Sequence, residues 1–450
     1  MTWRNSTFRG RDDQDQWGTS PVRGARLGRD SRPSPGPPVG KLIKTIPSRN
    51  HETDDQEHCG ITNVELVASY NWIDGPDARI VVPGKPRLWT PPEGPQKLCQ
   101  DSGVFYNDCN AASYQSHPME PAVVSVLRMH PAPLSVDIVC CSATLIRLLQ
   151  YVRGVDKPLR MLVEVVGQTL HLIIPRDVSP TYGISCVGHG HAFLEAYTSW
   201  EPGFGRSLSH QRILKYRLGG LDLLVRYQAH GYVGAGQRTR TAASEDTLDA
   251  LGQTGSLRLH QDGSSMASNN EGLVVASAGG PTSQDSIMEI KTRTSSNARN
   301  RKATFDVSKH MPRLWIRQVP TLVLAYHTEG LFDLVKVHDV STALKEWEAE
   351  KQTDLRQLVA LLRLLARDAM ADDGGKLELV SERGGDLELR RRLPDAGTAF
   401  SPSVGRQWGG WLDEGRKKGR ANEPFDGHDW WNERLTACDR ECGYCGKCMY

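Results

Sequence analysis

The distribution of apolar runs constrains this chain more than any other feature. Residues 1–60 and most of 235–285 carry almost no apolar run, and neither does the C-terminal tail. About 280 residues remain, enough for one large core where length alone would allow about three domains. The hydrophobic content of 38% falls below the roughly 45–50% usual for globular chains, and these polar stretches account for the deficit. Residues 1–60, rich in Arg, Gly, Ser and Pro without periodicity, read as a disordered tail. Such a segment either binds RNA by charge and stacking or stays solvated with no dedicated partner. Residues 61–392 form the expected core, with 235–285 as a long disordered insertion between two strands. Residues 393–437 read as a linker and 438–450 as a cysteine-rich tail.

The formal net charge is +2, so no global basic field announces nucleic acid. No secretory pattern opens the chain, and no apolar run approaches the length of a membrane-spanning helix. The expectation is an intracellular, nuclear or cytoplasmic protein that is not secreted and does not contact membrane. Its ten cysteines are then free thiols or metal ligands rather than disulfides.

Strand signals dominate the core. TNVELVASY from Thr62 and ARIVV at 78–82 alternate apolar and polar residues. LRMLVEVV and TLHLII flank Gly167-Gln168, QRILKYRL and LDLLVRY flank Gly219-Gly220, and TLVLAYH and LFDLVKV flank Glu329-Gly330, which predicts hairpins. KLELV and DLELR around Gly384-Gly385 predict a last one. Helices are expected at 121–129, with Pro121 at its first position, and at 142–154, with Ser142 as N-cap and Gly154 just past the end. HAFLEAYTSW forms a short helix carrying Glu195. A long amphipathic helix near 341–368 aligns Leu344, Trp347, Leu355, Leu358, Leu362 and Leu365. The fold class is α/β (α+β), a mixed β-sheet flanked by helices.

MEIKTRT carries the chemistry. Alternation along a strand sets Glu289 and Lys291 on one face and Ile290 on the other. A carboxylate beside an ammonium, with Glu195 on an earlier helix, suits a Mg²⁺- or Mn²⁺-dependent phosphodiester hydrolase. The carboxylates would hold the cation and the Lys would steady the attacking water. Alone, Glu-apolar-Lys is weak, since a chain this long holds about one by chance.

The order of motifs resembles that of the decapping exoribonucleases, which have a PD-(D/E)XK nuclease core. GHAFLE supplies the Gly190 to Glu195 spacing, Glu289-Ile290-Lys291 matches the central element, and Gln318-Val319-Pro320 before TLVLAYH matches the later one. The chain also resembles uncharacterised fungal proteins that share SYNWID, VPGKPRLWTPP, SHQRI and a terminal CGYCGKC. The resemblance implies RNA 5′-end processing by metal-assisted hydrolysis, with an RNA 5′ end as partner and a protein partner as a further candidate. It implies Glu195, Glu289, Lys291 and Gln318 as catalytic residues, with Glu195 and Glu289 holding Mg or Mn.

Two departures make the implied metal site degenerate. Gln228-Ala229-His230 stands where that family has acidic-x-Asp, so His230 takes a ligand position, and Cys141-Ser142-Ala143 stands where it has Trp-Arg-Gly. His is a poor Mg²⁺ ligand. Asp222, on the same apolar run, is a candidate substitute. The alternative function is a catalytically inactive, nuclease-like module that binds RNA or protein. Structural roles compete at each position: a surface carboxylate for Glu195, an exposed sheet pair for Glu289 and Lys291, a hydrogen-bonded strand end for His230, and a helix cap for Gln318.

The tail places Cys438, Cys442, Cys445 and Cys448 within eleven residues. Four thiolates so close suit zinc, with an Fe–S cluster or redox-active thiols as alternatives. Asp12-Asp13 and Asp372-Asp373 form no Asp-Asp-x-x-Asp clamp, and neither a P-loop nor a Gly-x-Gly-x-x-Gly turn occurs.

Overall fold

The computed structural model describes residues 9–10, 38–47, 58–102, 105–106, 113–114, 116–174, 188–234, 272–295, 307–372, 374–383 and 385–422. The first strands are β1 (Leu42–Ile46), β2 (Ile61–Ile73), β3 (Ala78–Gly84), β4 (Leu88–Trp89) and β5 (Gln96–Lys97). Helix α1 (Glu120–Met129) leads to β6 (Ile138–Cys141), α2 (Ser142–Val152), β7 (Leu159–Val166) and β8 (Thr169–Ile173). Then come α3 (Gly190–Tyr197), β9 (Thr198–Ser199), β10 (Ser207–Leu218), β11 (Leu221–Ala229) and β12 (Gly231–Tyr232). Strands β13 (Leu273–Gly279) and β14 (Ile287–Thr294), helix α4 (Met311–Arg317), and strands β15 (Thr321–Thr328) and β16 (Leu331–Asp339) follow. The chain continues through α5 (Ser341–Glu350), α6 (Gln352–Met370), β17 (Lys376–Ser381), β18 (Leu387–Arg391) and α7 (Pro402–Asn422).

Two large mixed sheets result, and Arg9–Gly10 pairs in parallel with Phe105–Tyr106 in a small third one. The larger has the order β13-β3-β2-β10-β11-β6-β8-β7-β17-β18-β1, and the smaller β9-β4-β12-β14-β15-β16-β5. In the larger sheet β11, β6 and β8 run parallel to one another, so their carboxyl ends share one edge. In the smaller, β14 runs parallel to β15. The hairpins form where expected. Gly219 and Gly220 both take positive φ (52° and 74°) to join β10 to β11, which is the backbone a tight two-residue turn requires. Glu329 and Gly330 do the same between β15 and β16, at 50° and 85°.

Helices cover both faces of the larger sheet. On one face α2, α4, α5 and α6 pack against Leu214, Tyr216 and Val225; Leu355, Leu358, Leu362 and Leu365 are all buried there, as their spacing predicts. On the other face α1 and α7 enclose Trp72, Ile213 and Leu224. A third cluster joins Phe193 and Tyr197 of α3 to Met288 and Ile290 of the smaller sheet. Among the described residues, no helix is long and apolar enough to cross a membrane.

The structure departs from the sequence reading at identifiable places. The helix near 341–368 is two helices that meet at Lys351. Side chains at the joint are tied to the start of β2 and the residues just before it: Glu348 Oε2 accepts from the Ile61 amide at 3.1 Å, and Gln352 Oε1 accepts from the Cys59 amide at 2.9 Å. Ser142 is the first residue of α2 rather than its cap, and its hydroxyl accepts from Arg317. The ordered core also reaches beyond the expected limits. Strand β1 lies within 1–60 and pairs with β18; β13 lies within 235–285 and pairs with β3. Helix α7 lies within 393–437, and its Trp408, Trp411, Val404 and Leu412 are buried. Their three-to-four spacing is helical, but the Gly and charged residues between them mask it. The four tail cysteines fall outside the described residues.

Candidate active site

The smaller sheet presents Glu289 and Lys291 side by side from β14, with Lys291 Nζ 3.0 Å from Glu289 Oε1. Ile290 points the other way, into the Phe193 cluster. Glu289 is only 2% exposed, and a buried carboxylate requires compensation. Helix α4 supplies it. Arg313 and Arg317, four residues apart, share one helix face. Arg317 Nη1 donates to Glu289 Oε2 at 3.2 Å, and Arg313 Nη1 lies 3.7 Å from Oε1. Arg317 is itself buried, donates through Nε to Ser142 Oγ at 3.2 Å, and lies over the Tyr227 ring.

The end of α4 is fixed from below. The Gln284 amide nitrogen donates to the carbonyls of Arg317 and Gln318 at 3.0 and 2.9 Å, and its oxygen accepts from Arg212 Nε at 3.1 Å. Arg212 is fully buried on β10, so Arg317 is tied through Gln284 to the larger sheet. Nearby His310 is pushed down to about 4. Burial is the main cause, Lys291, Arg293 and Arg313 add to it, and Glu289 opposes it. Its Nε2 lies 3.0 Å from Arg293 Nη2, which donates to the neutral ring.

The other expected site residues occupy distinct surroundings. His230 Nδ1 lies 3.8 Å from Glu289 Oε2, so position 230 does face the carboxylate. That nitrogen, however, accepts the Ile290 amide at 3.0 Å, which commits its lone pair to the backbone. Glu195 projects from α3 and accepts from Arg87 Nη2 at 2.6 Å, while the Arg87 guanidinium lies over Trp200. Gln318 ends α4 in the left-handed region (φ 51°) and turns its side chain back onto the Trp315 carbonyl at 2.6 Å. Gln228 joins Gln211, which in turn holds Arg226. Asp222 pairs with Lys215 at 3.2 Å, about 23 Å along β11 from Ala229.

The structure therefore brings together Glu289, Lys291 and His230, and adds Arg313 and Arg317. Among the described residues, no three His, Cys, Asp or Glu side chains come close enough to hold a metal ion. A hard divalent ion needs several oxygen ligands, and this set does not provide them: Glu289 is met by cations, Glu195 by Arg87, and the His230 lone pair by an amide. The Arg pair escaped the sequence reading because basic residues on a short helix usually mark a solvated face; its signal was the four-residue spacing just before Gln318-Val319-Pro320.

The family described as "Domain of unknown function (DUF8563)" matches residues 41–384. The chain belongs to the DUF8563 family. That match begins just before β1 and ends before β18, so α7 lies beyond it. No curated protein matches the chain. Solved structures do. Rai1 of Scheffersomyces stipitis, solved with (3′-NADP)⁺ and calcium ion, aligns at TM-score 0.53 and 12% identity over 84% of this chain and 99% of its own. Rai1 of Candida albicans, solved with pU5-Mn²⁺, aligns at 0.52 and 10% over 82% and 99%. This DUF8563 chain thus shares the fold of the decapping exoribonucleases that its motif order resembles.

Proposed function

We propose that the chain acts on the 5′ ends of RNA by gripping the terminal phosphate with Lys291, Arg313 and Arg317. The observation that carries this reading is the buried Glu289 of β14 surrounded by these three cations. Guanidinium groups present a planar fork of donors that fits phosphate oxygens, and an ammonium adds a compact charge. The fold shared with RNA-bound Rai1 supports RNA as the source of that phosphate. Glu289 then acts as an aligning group that holds the cations in register. The chain would work inside the cell, in the nucleus or cytoplasm, with a protein partner as a further candidate and zinc on the four tail cysteines.

Metal-assisted hydrolysis is the second reading. The 3.0 Å contact between Glu289 and Lys291 favours it, since that pair is the core of a carboxylate–ammonium nuclease site. One experiment separates the two. RNAs labelled at a 5′ monophosphate, triphosphate or unmethylated cap are incubated with the protein and Mg²⁺ or Mn²⁺, alongside Glu289→Gln. Bound, uncut RNA with a preference for the phosphorylated end is the expected result. Product that forms with the natural protein and disappears in the variant would establish hydrolysis instead.

A further inference from the structure

The contacts of Glu289 are those of a carboxylate whose counter-ion is already present. Both of its oxygens face cations: Oε1 meets Lys291 and Arg313, and Oε2 meets Arg317. A divalent ion entering here would sit against two guanidinium groups and an ammonium, and like charges repel strongly at that range. The remaining donors that would complete a metal site are committed elsewhere, His230 Nδ1 to the Ile290 amide and Glu195 to Arg87.

We infer that Arg317, backed by Arg313 and Lys291, takes the place of the divalent cation at Glu289, so that this chain holds an RNA 5′ phosphate without metal. The inference rests on the reading of the site given above. Three features of Arg317 suit it to the role. Its guanidinium is planar and permanently charged. The Ser142 hydroxyl fixes its Nε from α2. Gln284 pins the carbonyl end of α4, which holds the guanidinium at a set distance from the sheet.

The test measures binding of 5′-monophosphorylated and 5′-hydroxyl RNA to the full chain by fluorescence anisotropy, in excess EDTA and again with Mg²⁺ or Mn²⁺. Bound Mn²⁺ is counted by electron paramagnetic resonance on the natural protein, which needs no variant. The inference expects a preference of about tenfold for the phosphorylated end in EDTA, as a charge-assisted contact supplies. Metal should leave that preference unchanged, no stoichiometric Mn²⁺ should bind, and Arg317→Gln should remove the preference. Lys291→Gln is the second variant should Arg317→Gln unfold. A preference that appears only with Mg²⁺ or Mn²⁺, or one equivalent of bound Mn²⁺, overturns the inference and leaves the RNA 5′-end reading standing. No preference for phosphate under any condition overturns both.

Discussion

Trp408 donates its indole N–H to Nε2 of His171 at 2.9 Å, joining α7 to β8 across a buried face. The ring's other nitrogen, Nδ1, donates to the Thr169 carbonyl at 3.1 Å. Both nitrogens are thereby satisfied in the neutral ring, and a second ring proton would point at the indole N–H.

This pairing makes the fold acid-sensitive. Burial, the largest cause, holds His171 down to about 4 against the raising effect of Glu164, and His310 is also held to about 4. An unfolded His titrates near 6.5, so between about 6.5 and 4 the unfolded chain binds more protons than the folded one. Stability is full above pH 6.5 and falls as pH drops towards 4, by about 3 kcal/mol for His171 alone. Urea midpoints across pH 7.5 to 4.5 check this. His171→Asn, which keeps an acceptor for Trp408, should lower the acid slope by about one proton. An unchanged slope would remove His171 as the source.

Glu289 and Arg317 should be strongly coupled. Glu289→Gln leaves the buried Arg317 without its carboxylate, and Arg317→Met leaves Glu289 Oε2 without its donor; each should cost roughly 3 kcal/mol, whereas the double variant should cost less than the sum of the two. Denaturant melts of the four proteins give the coupling energy. Additive losses would mean that the 3.2 Å contact carries no net interaction.

Gln318 should behave as a helix terminator. Its positive φ favours glycine, and its side chain bonds only its own helix end in the contacts observed. Gln318→Gly is therefore expected to shift stability by less than about 1 kcal/mol and to leave RNA 5′-phosphate binding intact. Loss of binding with an unchanged melt would return Gln318 to the reacting site.

The tail cysteines give an independent prediction. Cys438, Cys442, Cys445 and Cys448 should hold about one zinc per chain, countable by elemental analysis. Cys442→Ser with Cys445→Ser should lose it, and the core should melt unchanged. Iron and sulfide in the purified protein would point to a cluster instead.

The site was half legible in the sequence, and the reason is physical. Glu289 and Lys291 share a strand, and two-residue alternation makes their pairing predictable from spacing alone. His230 could be placed near them only through motif order. Arg313 and Arg317 arrive from a helix about twenty residues downstream, and nothing local states which face of α4 turns inward. Gln228 shows the opposite limit: it lies across from Gln211 in the β10–β11 register and bonds to it, a pairing no local pattern states. The hairpins were plain because Gly219-Gly220 and Glu329-Gly330 encode their turns locally. Strands β1 and β13 were hidden because their partners lie far away in sequence, where no local pattern reports them.

Strand β1 is the more consequential of these. Leu42–Ile46 can find its partner only when Leu387–Arg391 exists, and the opposite face of the same sheet waits for Trp408 and Trp411. During synthesis this strand must therefore stay without its β18 partner while more than three hundred residues leave the ribosome. Closure comes last and at long sequence range, which makes folding slow and leaves the nascent chain with an exposed edge throughout. The pairing of Leu42–Ile46 with Leu387–Arg391 acts as the latch of the larger sheet.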